Sequence, residues 1–164
     1  MSVRAYAVLM AVELREITDR NRDEVLALRL APGQDRFIGT VAECLEEASV
    51  YTNANPWYRS VYHNEVAVGF VMMSWNVEPD PPEIIGPWFL WKLFIDERHQ
   101  REGYGSEAVR QVAALIRAAG ADELLTSYVE GPGEPGPFYR RLGFEPTGDR
   151  DINDEVILAL DLTR

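Results

Sequence analysis

Apolar and polar residues alternate along residues 12–17, and a period of two marks a strand with one covered face. Asn21, Arg22, Asp23 and Glu24 then make a capping-box pattern before Val25, Leu26, Leu28 and Leu30, which predicts a helix stopped at Pro32 and Gly33. Thr40 and Glu43 make a second box and open a short helix through Cys44, Leu45 and Ala48. Residues 60–62 and 66–75 flank His63, Asn64 and Glu65 and read as a β-hairpin with an asparagine in its turn. Residues 78–87 carry four prolines and read as a loop. Residues 88–95 are apolar almost throughout, interrupted by Lys92, as in a strand covered on both faces. Downstream of Gly103 and Gly105, the residues Ala108, Val109, Val112, Ala113 and Ile116 recur at helical spacing up to Gly120. Residues 123–129 predict another strand, 131–137 are too rich in glycine and proline for regular structure, 138–142 make a short helix ended by Gly143, and 156–162 alternate as a last strand.

Strands interleaved with helices over this length predict an α/β fold with a mixed central sheet and helices on both faces. Residues 12–164 read as one domain, with 1–11 an N-terminal extension or the start of the first strand and Met10 an alternative start. The chain contains no repeats, low-complexity tracts or interdomain linkers.

Charge narrows the choice of partner. With 27 acidic against 16 basic residues the net charge is -11, which disfavours nucleic acid, because phosphate contacts need clustered lysine and arginine. A cationic ligand fits better, although acidity also serves solubility. The single cysteine, Cys44, permits no intramolecular disulfide, and with His63 and His99 alone beside it no metal site is expected. No apolar run approaches the roughly 18 residues that span a bilayer, so a cytoplasmic location is the default expectation and a membrane partner is not.

The candidate chemistry lies where the buried strand meets the glycines. Strand, glycine turn and helix start together make an anion site, because unpaired amides point outward and the helix dipole adds about half a positive charge. Gly103 and Gly105 let a phosphate approach the main chain, and Arg98, His99 and Arg101 add positive character locally. A polyphosphate ligand is implied. The turn lacks the lysine and hydroxyl of a P-loop, and no early βα turn carries the three-glycine dinucleotide fingerprint, so neither ATP hydrolysis nor hydride transfer is indicated.

Gln100-x-x-Gly103-x-Gly105 after a buried strand, followed by a strand and then Phe138-Tyr139-Arg140-Arg141-Leu142-Gly143-Phe144, resembles the GCN5-related N-acetyltransferases over nearly the whole chain. The resemblance implies an acyl-CoA N-acyltransferase fold, its mixed sheet splayed at a cofactor cleft. It also implies acetyl-CoA as cosubstrate, without a metal. It places the pyrophosphate on Gln100, Arg101, Glu102, Gly103, Tyr104, Gly105 and Ser106, and the pantetheine arm on the main chain of Leu93, Phe94 and Ile95. Phe138, Tyr139 and Arg141 complete the expected cofactor contacts. Many members have an asparagine ahead of the Phe-Tyr helix, where this chain has residues 131–137. Residues 88–105, with Val68, Gly69, Phe70, Val71 and Met72 upstream, further resemble the bacterial diamine, spermidine and spermine acetyltransferases. The implied acceptor is therefore a small, cationic primary amine. Another amine (an aminoglycoside-like antibiotic or a protein N-terminus) and a non-catalytic acyl-CoA sensor are the alternatives, and subunit pairing is common among relatives.

A primary amine is almost wholly protonated at neutral pH, so the site must accept a proton before attack on the thioester. Glu83, just before the buried strand, is the first candidate for that role, while Asp96 at the other end is expected to hold the turn. An amide near Phe94 is the candidate oxyanion donor for the tetrahedral intermediate, and Tyr139 the candidate acid for the leaving thiolate. Cys44 is expected to be an ordinary buried thiol, so transfer is direct. Trp57, Tyr58, Trp75, Trp88 and Trp91 are candidates to line an acceptor channel, although aromatics in strands are usually core. Glu46, Glu47, Glu78, Asp80, Glu83, Asp151, Asp154 and Glu155 are candidates to ring its mouth and steer a polycation.

Overall fold

The computed structural model describes residues 12–164; the expectations for residues 1–11, including Met10, fall outside them. Among residues 12–164 seven strands form one sheet: β1 (Val12–Arg15), β2 (Pro56–His63), β3 (Val66–Ser74), β4 (Phe89–Ile95), β5 (Glu123–Tyr128), β6 (Glu145–Arg150) and β7 (Val156–Asp161), in the spatial order β1-β2-β3-β4-β5-β7-β6. Among the described residues four α-helices accompany them: α1 (Arg22–Leu26), α2 (Val41–Val50), α3 (Tyr104–Ala118) and α4 (Gly136–Arg141). Every neighbouring pair of strands is antiparallel except β4 and β5, which are parallel.

That parallel pair organises the molecule. β4 and β5 share only the rungs Phe89↔Leu125 and Leu90↔Thr126, after which they part. The cause lies on the other edge of β4. Met73 pairs with Leu90 but Met72 pairs with Lys92, so Trp91 is an extra residue in the ladder. Such a bulge bends and overtwists its strand, and this one follows directly after the last rung with β5. The split sheet expected from the resemblance is thus built by one inserted residue.

Two cores sandwich the sheet. On one face α3 buries Ala108, Val109, Val112 and Ile116 against Val71, Met73, Leu90, Leu124 and Leu158, with Tyr139 of α4 in the same cluster. On the other, Val25 of α1 and Val41, Cys44 and Ala48 of α2 cover Phe70, Met72 and Phe94. Full burial of side chains such as Phe70 and Phe94 contributes roughly 1.5–3 kcal/mol each.

The two capping boxes have different outcomes. Thr40 caps α2, accepting the Glu43 amide at 3.2 Å and donating its hydroxyl to the Glu43 carboxylate at 3.1 Å. Asn21 caps nothing: its amide side chain accepts from Thr18 N and donates to Glu16 O, while Glu24 reaches the Ala67 amide and the Tyr62 hydroxyl. The α1 helix accordingly stops at Leu26, short of Leu30. The first strand ends at Arg15, β2 starts earlier than the sequence pattern indicates, and β6 is an additional strand.

Candidate active site

Asp96 ends β4 and fixes everything after it. Its side chain is fully buried and accepts both Nε (2.8 Å) and Nη2 (2.9 Å) of Arg98, together with the amides of Arg98 (2.9 Å) and Arg29 (2.8 Å). The hydrogen bonds from Arg98, foremost its guanidinium, hold the Asp96 carboxyl well below the usual carboxylate range, against the opposing effect of burial. The charge of Arg98 is therefore spent on Asp96 and does not serve the anion site. Gln100 then donates its side-chain amide to Ile95 O at 3.0 Å, closing the turn on the strand it left.

The turn itself has the geometry of an anion cradle. Arg101 and Gly103 both adopt positive φ, +66° and +84°, and no side chain caps α3. The first-turn amides of Tyr104, Gly105 and Ser106 have no intrahelical acceptors and lie at the positive end of the dipole. Gly105 is helical, and a Cβ there would meet Ile95 and Phe138 at 3.5 Å, an ordinary contact. Tyr104 packs its ring 4.8 Å from His63 and shares a 3.0 Å hydrogen bond with Nδ1, tying the turn to the end of β2. Arg101 and Arg141 are exposed and form no ion pair among the described residues, and Glu102 is also exposed. Arg141 lies on a groove of ≈ 320 Å³ with Arg110 and Arg117, beside β7.

The open edge of β4 runs from the split to this turn. Asp96 N donates to Val68 O at 2.8 Å, and in that register Phe94 pairs through its main chain with Phe70. The alternate residues Leu93 and Ile95 then turn their peptide groups toward the side β5 has left, the Ile95 carbonyl being taken by Gln100. Phe94 faces the α2 core instead. These main-chain groups, the glycine turn and the uncapped amides fit an extended thiol ester with a diphosphate at its far end.

Tyr139 of α4 belongs to the same core cluster as Leu90, at whose rung the split begins. Gly136 brings α4 onto β5 so closely that a Cβ would approach the Tyr128 ring at 3.0 Å. Tyr139 is buried, edge-on to Phe138 at 5.1 Å and to Phe144 at 5.3 Å. Burial pushes its hydroxyl up to about 12, partly offset by a hydrogen bond with Thr126. Ahead of this helix, Glu134 closes residues 131–134 on themselves, accepting the Gly131 amide at 2.9 Å, and Arg36 reaches across to Pro132 O at 3.2 Å.

On the opposite face, the bulge turns both Trp91 and Lys92 toward α2. Lys92, the only lysine of the chain, pairs with Glu47 at 3.2 Å. Glu155, between β6 and β7, is half-buried and bonded to Asp151, whose Oδ1 accepts the amides of Asn153 and Glu155. Burial first, then the neighbouring Asp151, pushes Glu155 up to about 7 against the attraction of Lys92. Glu83 is exposed in the turn between Asp80 and Ile84. The aromatic residues do not line one channel. Trp57, Trp75 and Trp88 pack together on the α3 face, whereas Tyr58 stacks on Phe70 and Trp91 meets Tyr51 on the other. Cys44 is buried, donates to Gly39 O at 3.7 Å, and is pushed up to about 11 chiefly by desolvation.

The sequence model of the acetyltransferase (GNAT) family matches residues 16–144. The chain belongs to this family. It is an acetyl-CoA-dependent N-acetyltransferase, and its sheet, split at Leu90 and Thr126, is the fold of its structural neighbours. It is 28% identical over 154 residues to the spermine/spermidine N(1)-acetyltransferase of Bacillus subtilis, covering 93% of this chain and 100% of that one. An acetyltransferase from Thermus thermophilus superposes with a TM-score of 0.70 at 19% identity, over 93% of this chain and 98% of that one. The PaiA N-acetyltransferase of Thermoplasma acidophilum, solved with coenzyme A, superposes with a TM-score of 0.62 at 15% identity, over 92% and 99% of the two chains. Within the GNAT frame, two residues stand out that the motifs do not mark: Thr126 and the bulged Trp91. Thr126 had a signal in the sequence, a hydroxyl on the inward face of residues 123–129; the bulge had none.

Proposed function

We propose that this enzyme acetylates a primary amine of a polyamine, with spermidine, spermine or a diamine as acceptor. The observation that carries this reading is the end-to-end similarity to the Bacillus subtilis enzyme, joined to a net charge of -11 and to carboxylates at Glu47, Asp151 and Glu155 on the α2 side of the split. Acetyl-CoA supplies an activated acyl thioester. Leu93, through its open peptide groups, and Ile95, through its amide, hold its pantetheine arm, and the turn from Gln100 to Ser106 holds its diphosphate. Phe138 packs beside the arm, and Arg101, on the turn itself, offers its charge to its phosphates.

The acceptor arrives as an ammonium and must lose a proton before attack. Glu155 is better suited to take it than the exposed Glu83, because it is half-buried and holds its proton to about pH 7. Tyr139, protonated throughout this range, gives its proton to the departing sulfur and regains one, through solvent, from the nitrogen, which sheds its second proton as the amide forms, while Glu155 releases the first to solvent. With Cys44 buried and protonated, the amine attacks the acyl carbon directly.

The test is turnover across a panel of putrescine, spermidine, spermine, an aminoglycoside and a peptide with a free N-terminus, read as release of the CoA thiol. Turnover is expected to be highest with spermidine or spermine. No turnover with either removes the polyamine assignment, whatever the other amines do.

A further inference from the structure

Tyr104 opens α3, and its amide is one of those left without an intrahelical acceptor at the diphosphate turn. Its side chain engages another part of the sheet. The hydroxyl lies 3.0 Å from Nδ1 of His63, the last residue of β2, and the two ring centroids are 4.8 Å apart. Since β3 separates β2 from β4, this contact lies two strands away from the one that feeds the turn. Two turns further along the helix, the Gln111 side chain donates to Val12 O of β1 at 2.7 Å. Tyr104, Ala108 and Gln111 stand at i, i+4 and i+7 on one face of α3, with fully buried Ala108 between the two ties. Apolar packing alone is non-directional and lets a helix roll or slide, whereas two hydrogen bonds on one face fix both its rotation and its position along the axis. Arg101, Glu102 and Gly103 are exposed and no side chain caps the helix, so the placing of its first turn depends on these ties.

We propose that Tyr104 and His63 form a strut that presets the diphosphate site, the Tyr104 hydroxyl and His63 Nδ1 acting as positioning groups that hold the first-turn amides of α3 in their binding arrangement before coenzyme A arrives. The inference rests on the reading above in which residues 100–106 hold the diphosphate. A phenol can give or take a hydrogen bond, so the contact holds for either tautomer of His63. When the turn is ordered in advance, none of the ligand's binding free energy is lost to ordering it. Without the strut the ligand must order the turn itself, and the loss falls on affinity for the cofactor. The acyl group reacts at the other end of the pantetheine arm, so the chemical step is not touched.

The experiment compares the wild type with Tyr104→Phe, which keeps the ring and removes the hydroxyl, with His63→Phe, which keeps a ring and removes Nδ1, with the double variant, and with His63→Asn, whose side-chain amide can stand where Nδ1 stood. Calorimetry with coenzyme A is expected to show Kd raised about fivefold in each phenylalanine variant and no further in the double variant, because both remove one shared hydrogen bond. KM for acetyl-CoA should rise with it while kcat with spermidine stays at the wild-type value, and His63→Asn should recover most of the affinity. Hydrogen exchange at the amides of residues 104–106 in the ligand-free enzyme should be faster in Tyr104→Phe. Wild-type affinity in Tyr104→Phe, losses that add in the double variant, or a lower melting point with Kd unchanged overturns the proposal. A wild type that binds no coenzyme A overturns it as well. The calorimetry needs no amine, so a wild type that turns over no polyamine removes the acceptor assignment alone, and the Kd values still decide whether the strut acts on the diphosphate site.

Discussion

The carboxylate of Asp96 accepts the amide of Arg29 at 2.8 Å, joining the end of β4 to the segment after α1 across 67 positions of sequence. The same carboxylate grips Arg98, so one buried side chain sets where the strand ends and where the glycine turn begins. Its carboxyl is held below the ordinary value in the folded state, so it contributes stability above that value and loses the contribution as pH falls through the folded one. Asp96→Asn is expected to cost about 2–3 kcal/mol, allowing for the exposure of Arg98. Thermal melts at pH 7 should show a midpoint lower by about 5–10 °C, with the difference narrowing in strong acid.

The two glycines of the turn should behave differently. Gly103 has φ of +84°, so Gly103→Ala strains the turn by about 1 kcal/mol and tilts the amides of the first turn. Its KM for acetyl-CoA should rise about tenfold. Gly105→Ala adds a methyl at ordinary contact with Ile95 and Phe138, and its melting point should stay near that of the wild type. Equal effects on melting would contradict the assignment of strain to Gly103.

Tyr139→Phe should lower kcat by about ten- to a hundredfold and leave KM for both substrates nearly unchanged. Burial pushes this hydroxyl up to about 12, so the wild type should keep its rate well into the alkaline range. Steady-state kinetics between neutral and strongly alkaline pH measures both.

Glu155 is an acid held above its ordinary range, up to about 7, so the fold favours its neutral form. Stability contributed by that proton is full below the ordinary carboxylate value and is lost as pH rises through about 7. Glu155→Gln should therefore melt like the wild type in mild acid and above it at pH 8. The rate should move the other way: wild-type kcat/KM rises as Glu155 ionises near pH 7, and Glu155→Gln loses that limb. Lys92→Met removes an attraction and should shift the limb to higher pH.

Cys44 is pushed up to about 11 and lies on the buried face of α2. Cys44→Ala should retain the wild-type kcat, and the folded protein should react with iodoacetamide far more slowly at pH 8 than the denatured chain. A large loss of rate with normal melting would reinstate a covalent route.

What the sequence disclosed follows physical locality. The Gly103 turn was legible because positive φ and a missing cap are properties of adjacent residues, and the Thr40–Glu43 box was legible for the same reason. The Asn21 box misled because Glu24 takes partners at Ala67 and Tyr62, far along the chain. β6 left no trace, since residues 145–150 are all exposed and carry Pro146 and Gly148; pairing with β7, not side-chain packing, holds it. The bulge at Trp91 was hidden in an apolar run that has no alternation to interrupt. The environment of Glu155 needed Asp151 and Lys92 brought together by the fold.

The last strand in the sheet order has a consequence for how copies of this protein can meet. Pro146 offers no amide, Gly148 sits at φ of +90° within an irregular stretch, and Glu145, Asp149 and Arg150 place charge along the rim. An incoming chain finds no regular row of donors and acceptors there, so this margin resists strand-by-strand polymerisation, and crowded expression should not drive fibre growth from it.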